Sequence, residues 1–209
     1  MTEGIALIRK YFPSLTSRQE KMLETLSGGL TSWNERINVI SRKDIAHLWE
    51  HHLLHSLTIA SFFPFPAGTT VLDVGTGGGL PGLPLAILFP ASRFTLIDSI
   101  GKKIRVVNEL ITLTGLENAR AIQKRSEEMK GSFDYITGRG VTRFNRFYES
   151  TRHLLKSPPD KGQGGIIYLT GGQSGDEITI PGKSTERIAL ASRFREPFFA
   201  TKEILWLPA

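Results

Sequence analysis

A short apolar strand that runs straight into glycines constrains this chain more than any other feature: Val71-Leu72-Asp73-Val74 leads into Gly75-Thr76-Gly77-Gly78-Gly79. Glycine accepts positive φ and has no side chain to hold a ligand away, so such a turn lets a ligand lie against the backbone. The next apolar run closes on Asp98, twenty-three residues after Gly75, and an acid at a neighbouring strand tip can grip a ribose diol. The pair predicts an adenosine-type cofactor across the carboxyl ends of parallel strands, where open α/β sheets place their ligands.

The dinucleotide fingerprint G-x-G-x-x-G, started at Gly75, requires glycine at position 80 and meets Leu80. Started at Gly77 the letters fit through Gly79 and Gly82, but the first glycine then lies two residues beyond the strand end, whereas a dinucleotide turn follows the strand directly. No Lys-Ser or Lys-Thr follows the glycines, so a P-loop would lack its cation. What remains, Asp73-x-Gly75-x-Gly77-x-Gly79, is the pattern of S-adenosylmethionine sites. That ligand has no phosphates and asks for clearance and an acid near its amino group. A glycine turn without ligand is the alternative, and the paired Asp98 argues against it.

At 209 residues the chain has room for one α/β domain with a small appendage. No stretch has the length of a transmembrane helix, and Met1-Thr2-Glu3-Gly4-Ile5 lacks the features of a signal peptide, so a cytoplasmic protein is expected. The absence of cysteine excludes disulfides, thiolate zinc sites and any sulfur nucleophile. A formal net charge of +6 favours a polyanionic partner, though an ordinary basic surface also accounts for it.

Residues 1–62 read as helical. Ser17-x-x-Glu20 is a capping box ahead of Met22, Leu23, Leu26, Leu30 and Trp33 at helical spacing. Asp44 can cap a second helix whose apolar stripe is Ile45, Leu48, Trp49, Leu53, Leu57 and Ala60. Pro64 and Pro66 break it, dividing a helical extension over 1–66 from a domain over 67–209. From there strands alternate with helices: strands over 70–74, 93–98, 119–123, 133–137 and 165–170, helices over 81–89, 102–113 and 143–155. This βαβ series implies a parallel sheet with helices on both faces. The tail breaks the rhythm with two strand-like runs, 186–194 and 203–207, which fit a terminal antiparallel hairpin. A Rossmann-like sheet closed in this way is the α/β layout of the class I S-adenosylmethionine-dependent methyltransferases. The Gly/Pro/Lys-rich stretch 157–165 reads as a mobile loop.

Methyl transfer is an in-line displacement on a sulfonium, and acceptors differ in the help they need. Pyrimidine C5 requires a cysteine, which is absent. Exocyclic amines usually require an Asn/Asp-Pro-Pro-aromatic motif after the fourth strand, where Gly138-Arg139-Gly140 stands instead; Ser157-Pro158-Pro159-Asp160 lies after the following helix and reads as a turn. A ring nitrogen such as guanine N7 carries a free lone pair and needs no general base.

Several stretches together resemble one family. Trp33-Asn34-Glu35-Arg36-Ile37-Asn38, Glu50-His51-His52-Leu53-Leu54-His55-Ser56-Leu57, Gly79-Leu80-Pro81-Gly82 after the glycine turn, Asp98-Ser99-Ile100-Gly101-Lys102 and Arg125-Ser126-Glu127-Glu128 are similar to the bacterial small-subunit rRNA guanine-N7 methyltransferases, also called glucose-inhibited division protein B. The resemblance runs from about Trp33 to Leu207. It implies S-adenosylmethionine held by Gly75, Gly77 and Leu80, with Asp98 at the ribose and Ser126-Glu127 beside the adenine; the glycine pattern itself makes Asp73 the acid near the amino group. It also implies Arg139 as a catalytic residue lining the cofactor and substrate pocket, where its planar fork can bond a guanine edge or a phosphate. The implied partner is 16S rRNA or the small ribosomal subunit, met by a monomer that uses no metal and no membrane.

Other readings stay open. Arg139 can be an ordinary strand-end cation, and Asp98 an N-cap of the following helix. Many family members carry an acid where His55 stands, Ser-Arg-Ala at Gly138-Arg139-Gly140, and lysine at Thr170; the two glycines are expected to loosen the loop at Arg139. His51, His52 and His55 invite a metal, but with no carboxylate or cysteine at ligand spacing a polar helix face is preferred. Arg36, Arg42, Lys43, Lys102, Lys103, Arg105, Arg143 and Arg146 are candidate phosphate contacts, while Tyr135, Phe144 and Phe147 read mostly as core. A same-fold enzyme acting on a small molecule or protein, and a non-catalytic ribosome-associated RNA-binding module, are the rival functions.

Overall fold

The structure, a computed structural model, describes residues 2–156, 164–171, 178 and 180–209. Thr2 caps α1 (Glu3–Tyr11) by accepting the Ile5 N–H. Ahead of α2 (Ser17–Asn34) the capping box is real but sits one residue earlier than Ser17 and Glu20: Thr16 accepts the Gln19 N–H, and Gln19 Oε1 accepts the Thr16 N–H at 3.0 Å. Thr16 has the extended backbone an N-cap needs. Glu20 instead pairs with Arg9 of α1.

The second expected helix is wound unevenly. A 3₁₀ turn (Ile45–His47) passes into a π-helix (Leu48–Leu54), a short α3 (His55–Leu57) and a 3₁₀ turn (Thr58–Ser61). Asp44 makes no capping bond; its carboxylate is taken by His51 and His52. The buried set also departs from one stripe, since Leu53 through Ile59 are all buried while Ile45, Trp49 and Ala60 are only partly so. A helix enclosed by neighbours on every side has no solvent face to keep polar.

The sheet follows: β1 (Thr70–Val74), α4 (Gly82–Leu88), β2 (Arg93–Asp98), α5 (Gly101–Thr114), β3 (Ala119–Gln123), β4 (Tyr135–Arg139), α6 (Phe144–Thr151), β5 (Gly165–Gly171), β6 (Glu186–Ala189) and β7 (Lys202–Pro208). Its order is β3-β2-β1-β4-β5-β7-β6. The first five strands pair in parallel, and β7 runs antiparallel to both β5 and β6. The terminal antiparallel pair is therefore present, with β6 ending at Ala189 because the chain turns into 3₁₀ at Leu190–Ser192. β4 begins two residues later than expected and ends on Arg139. The stretch 157–163, with its Pro-Pro turn, lies outside the described residues, and Gly165 already belongs to β5.

Alternate residues of the central strands enter different cores. Val71, Leu96 and Tyr135 join the cluster that contains Ile5, Leu23 and Leu53, whereas Leu72, Ile97 and Ile136 join Phe147 and Ile166 on the other face. The N-terminal helices therefore close one face of the sheet and share its core. At the point where β1 is flanked by β2 on one side and β4 on the other, the strand ends diverge and leave a crevice.

Candidate active site

The glycine turn is built for closeness. Gly75 and Gly77 have φ of +68° and +59°, a left-handed backbone that residues with a Cβ resist. The N–H groups of Gly75 and Thr76 donate to the Ile97 carbonyl at 2.9 and 3.0 Å, tying the loop to β2. A Cβ on Gly75 would lie 2.8 Å from Val141, whereas one on Gly77 would meet nothing within 4 Å. The open side of Gly77 faces the crevice.

Asp73 works beneath this loop. Its Oδ2 accepts the Gly82 N–H at 3.0 Å and the Thr76 hydroxyl, and its Oδ1 accepts the Thr137 hydroxyl at 3.0 Å. It is fully buried and does not line the crevice, which corrects its expected place near a cofactor amino group: both oxygens are already committed to holding the turn. Burial pushes its carboxyl up to about 6 despite these donors and the nearby charge of Arg139.

The crevice is a cavity of about 610 Å³ lined by Gly75, Gly77, Leu80, Asp98, Ser126, Glu127 and Arg139. Seven of the eight cofactor residues anticipated from the sequence are thus brought together. Asp98 is not the N-cap of α5, a position held by Ile100; its Oδ1 accepts the Ile100 N–H at 2.9 Å and its Oδ2 the Gly77 N–H at 3.1 Å. Lys103 stands 3.8 Å from the same carboxylate. Glu127 lies in a 3₁₀ turn (Ser126–Glu128), accepts the Ser126 hydroxyl at 3.1 Å, and is held below the ordinary carboxylate range chiefly by a backbone N–H. Sequence reasoning missed Val39, Ile100 and Val141, which also line the cavity. Ile100 and Val141 are 40 % and 42 % exposed; an apolar side chain left in solvent at a strand end is a signal visible only in three dimensions.

Arg139 stands where the crevice meets the N-terminal layer. Its Nη1 donates to the His51 carbonyl at 3.4 Å and its Nη2 lies 3.1 Å from His52 Nδ1. Burial lowers its guanidinium to about 10, still charged at neutral pH. The two glycines beside it differ in their surroundings: a Cβ on Gly140 would meet nothing within 4 Å. Gly138 lies inside β4, where a Cβ would sit 2.6 Å from the Phe147 ring. Beyond Gly140, Tyr168 Oη accepts the N–H groups of Val141 and Thr142 at 2.7 and 3.0 Å and donates to the Thr142 carbonyl.

His55 is fully enclosed against Phe198 and Phe199, its Nε2 has no partner, and burial first, then the charges of Arg139 and Lys202, keep it neutral. The carboxylate missing from the histidine spacing arrives from Asp44, yet among the described residues no group of three or more His, Asp or Glu is arranged to hold a metal. Tyr135, Phe144 and Phe147 are core residues. Of the sequence-named cations, Lys103 and Arg146 line this first cavity. Arg143 and Arg146 line a second cavity of about 590 Å³ that shares Gly140 and Thr142 with the first. Arg105 pairs with Glu109 and Arg36 lies over the Trp33 ring, both away from the crevice.

Residues 19–194 match the model of the GidB family, described as rRNA small subunit methyltransferase G. The chain belongs to that family. Relatives named ribosomal RNA small subunit methyltransferase G include that of Flavobacterium johnsoniae, 48 % identical over 96 % of each chain. Another, from Porphyromonas gingivalis, is 43 % identical over 98 % of this chain and 94 % of its own. Among solved structures, a SAM dependent methyltransferase from Aquifex aeolicus aligns with a TM-score of 0.56 at 14 % identity, over 81 % of this chain and 98 % of its own. That likeness is one of fold, and it fits the class I α/β sheet described above. The glycine turn, Asp98 and Arg139 all lie within the matched residues.

Proposed function

We propose that this protein transfers the methyl group of S-adenosylmethionine to N7 of a guanine in 16S rRNA, acting as a cytoplasmic monomer. The observation that carries the reading is the placement of Arg139 on the wall of the cofactor cavity, one residue from the Gly140 loop that both cavities share. The open face of Gly77 offers the clearance an uncharged backbone approach needs, Asp98 offers a carboxylate for ribose hydroxyls, and Ile100 and Val141 offer apolar faces to an adenine. Ser126 and Glu127 supply the polar edge. These residues fit the cofactor, which when bound supplies an electrophilic methyl on a sulfonium.

The chain's part is to orient and to exclude water. Alignment of two reactants in one site lowers a barrier by roughly 7 to 11 kcal/mol in favourable cases. Arg139 can hold the O6 edge of guanine or a neighbouring phosphate and leave the N7 lone pair free. No side chain need remove a proton, because N7 carries none. The exposed arginines Arg143 and Arg146 at the second cavity suit an RNA backbone.

Incubation with labelled S-adenosylmethionine and either bare 16S rRNA or small subunits, followed by chemical cleavage at N7-methylguanine, tests the reading. Label on a protein or small molecule, or tight RNA binding with no cofactor heat in calorimetry, would point to one of the rivals. Arg139→Ala should lower transfer far more than cofactor affinity. Light scattering at the mass of one chain tests the monomer.

A further inference from the structure

Arg139 is held by a defined set of partners. Its Nη2 faces His52 Nδ1 at 3.1 Å, His52 Nε2 lies 2.6 Å from Asp44 Oδ2, and His51 Nδ1 lies 2.6 Å from Asp44 Oδ1. A guanidinium only donates hydrogen bonds. His52 Nδ1 therefore carries the lone pair and Nε2 the proton, and the Nε2–H donates a hydrogen bond to the Asp44 carboxylate.

Two features define this chain of contacts. The π-helical winding of Leu48–Leu54 lets consecutive histidines converge on one carboxylate, a local irregularity often found at functional sites. His51 is in turn clamped between Phe198, at 4.0 Å between ring centres, and His47, at 4.6 Å. Burial by itself would raise the Asp44 carboxyl, but the two imidazole donors outweigh it and hold it below the ordinary range. Burial, and then the charge of Arg139, lower His52 to about 4. The imidazole is thus neutral at physiological pH and stays an acceptor for Arg139.

We propose that Asp44 and His52 are positioning residues: Asp44 fixes the His52 tautomer, and His52 aims the Arg139 guanidinium at the acceptor side of the cofactor cavity. The inference rests on the proposed role of Arg139 at that side. Both nitrogens of His52 are committed, so it cannot serve as a base, in keeping with an acceptor that loses no proton.

Asp44→Ala tests this, because the Asp44 side chain is 36 % exposed and its loss leaves no core cavity. Cofactor affinity should hold and the melting temperature fall only slightly, while the turnover of methyl transfer falls about ten- to a hundredfold, the cost of a misplaced group. In ¹⁵N-resolved imidazole spectra, wild-type His52 should be protonated on Nε2 alone, and Asp44→Ala should lose that single form. His52→Gln, which keeps one donor and one acceptor, should retain more transfer than His52→Leu. Transfer by Asp44→Ala at the wild-type rate, or a wild-type His52 protonated on Nδ1, would overturn the proposal. If the wild-type protein methylates no 16S rRNA, the proposed function fails, while the spectra still decide the tautomer.

Discussion

Asp98 accepts the Gly77 N–H at 3.1 Å, so the acid at the tip of β2 and the open glycine of the β1 turn are parts of one hydrogen-bonded unit. The same carboxylate steadies Ile100, which faces the cavity. Loss of Asp98 would remove a proposed ribose contact and release the turn at once.

Asp98→Ala should therefore weaken S-adenosylmethionine binding by about ten- to a hundredfold, the size of one charge-assisted hydrogen bond. Titration calorimetry measures it directly. An unaltered affinity would remove Asp98 from the ribose.

Gly75→Ala and Gly77→Ala separate strain from clearance. Both force a Cβ into a left-handed backbone at about 1 to 2 kcal/mol, but only Gly75→Ala also collides with Val141. Thermal unfolding should rank Gly75→Ala as the less stable. Gly77→Ala should instead lose more cofactor affinity, since its methyl enters the cavity.

Asp73 gives the protein a pH signature. Its carboxyl sits at about 6 when folded, above an unfolded value near 4, so the native state binds this proton more tightly. Its contribution to stability is complete below about pH 4 and is lost as pH rises through about 6. Relative to Asp73→Asn, the wild type should lose on the order of 2 to 3 kcal/mol between pH 4 and pH 7. Urea unfolding of both proteins across that range measures the difference, and a gap constant with pH would contradict the assignment.

Arg143 and Arg146 are exposed beside the second cavity, where a phosphate contact would release a counterion. Replacing either with alanine should flatten the plot of log binding constant against log salt by about 0.7 for single-stranded RNA. Filter binding over a salt series reads the slope, and an unchanged slope for both variants would place the RNA elsewhere.

Much of the fold, and seven of the residues that line the crevice, were legible in the order of residues. The alternation of apolar runs with helical spacing anticipated every strand of the sheet, and the distance from Gly75 to Asp98 anticipated the crevice. These signals are local: a strand and the turn after it are decided within a few residues. The errors share a different cause. Ser17 and Thr16 are equally able to cap a helix, and only the backbone angle chooses between them. Asp73 carries the same letter whether it faces a ligand or supports a loop. The even stripe expected over Ile45 to Ala60 gave way to an uneven winding in which Leu48 and the unbroken run 53–59 are buried while Ile45, Trp49 and Ala60 are only partly so, a pattern set by the neighbours this segment packs against.

Residue types and short spacings were enough to indicate the class of cofactor and the βαβ series, since each depends on neighbours in the chain; composition alone excluded a sulfur nucleophile, and several motifs taken together carried the resemblance to the family. Only the folded molecule decided that Asp73 supports the turn from below, that Ile100 and Val141 face the cavity, and that Asp44 reaches Arg139 through His52. Those roles depend on the direction of a side chain, and direction is fixed by packing between segments as much as ninety-five residues apart, the separation of Asp44 from Arg139.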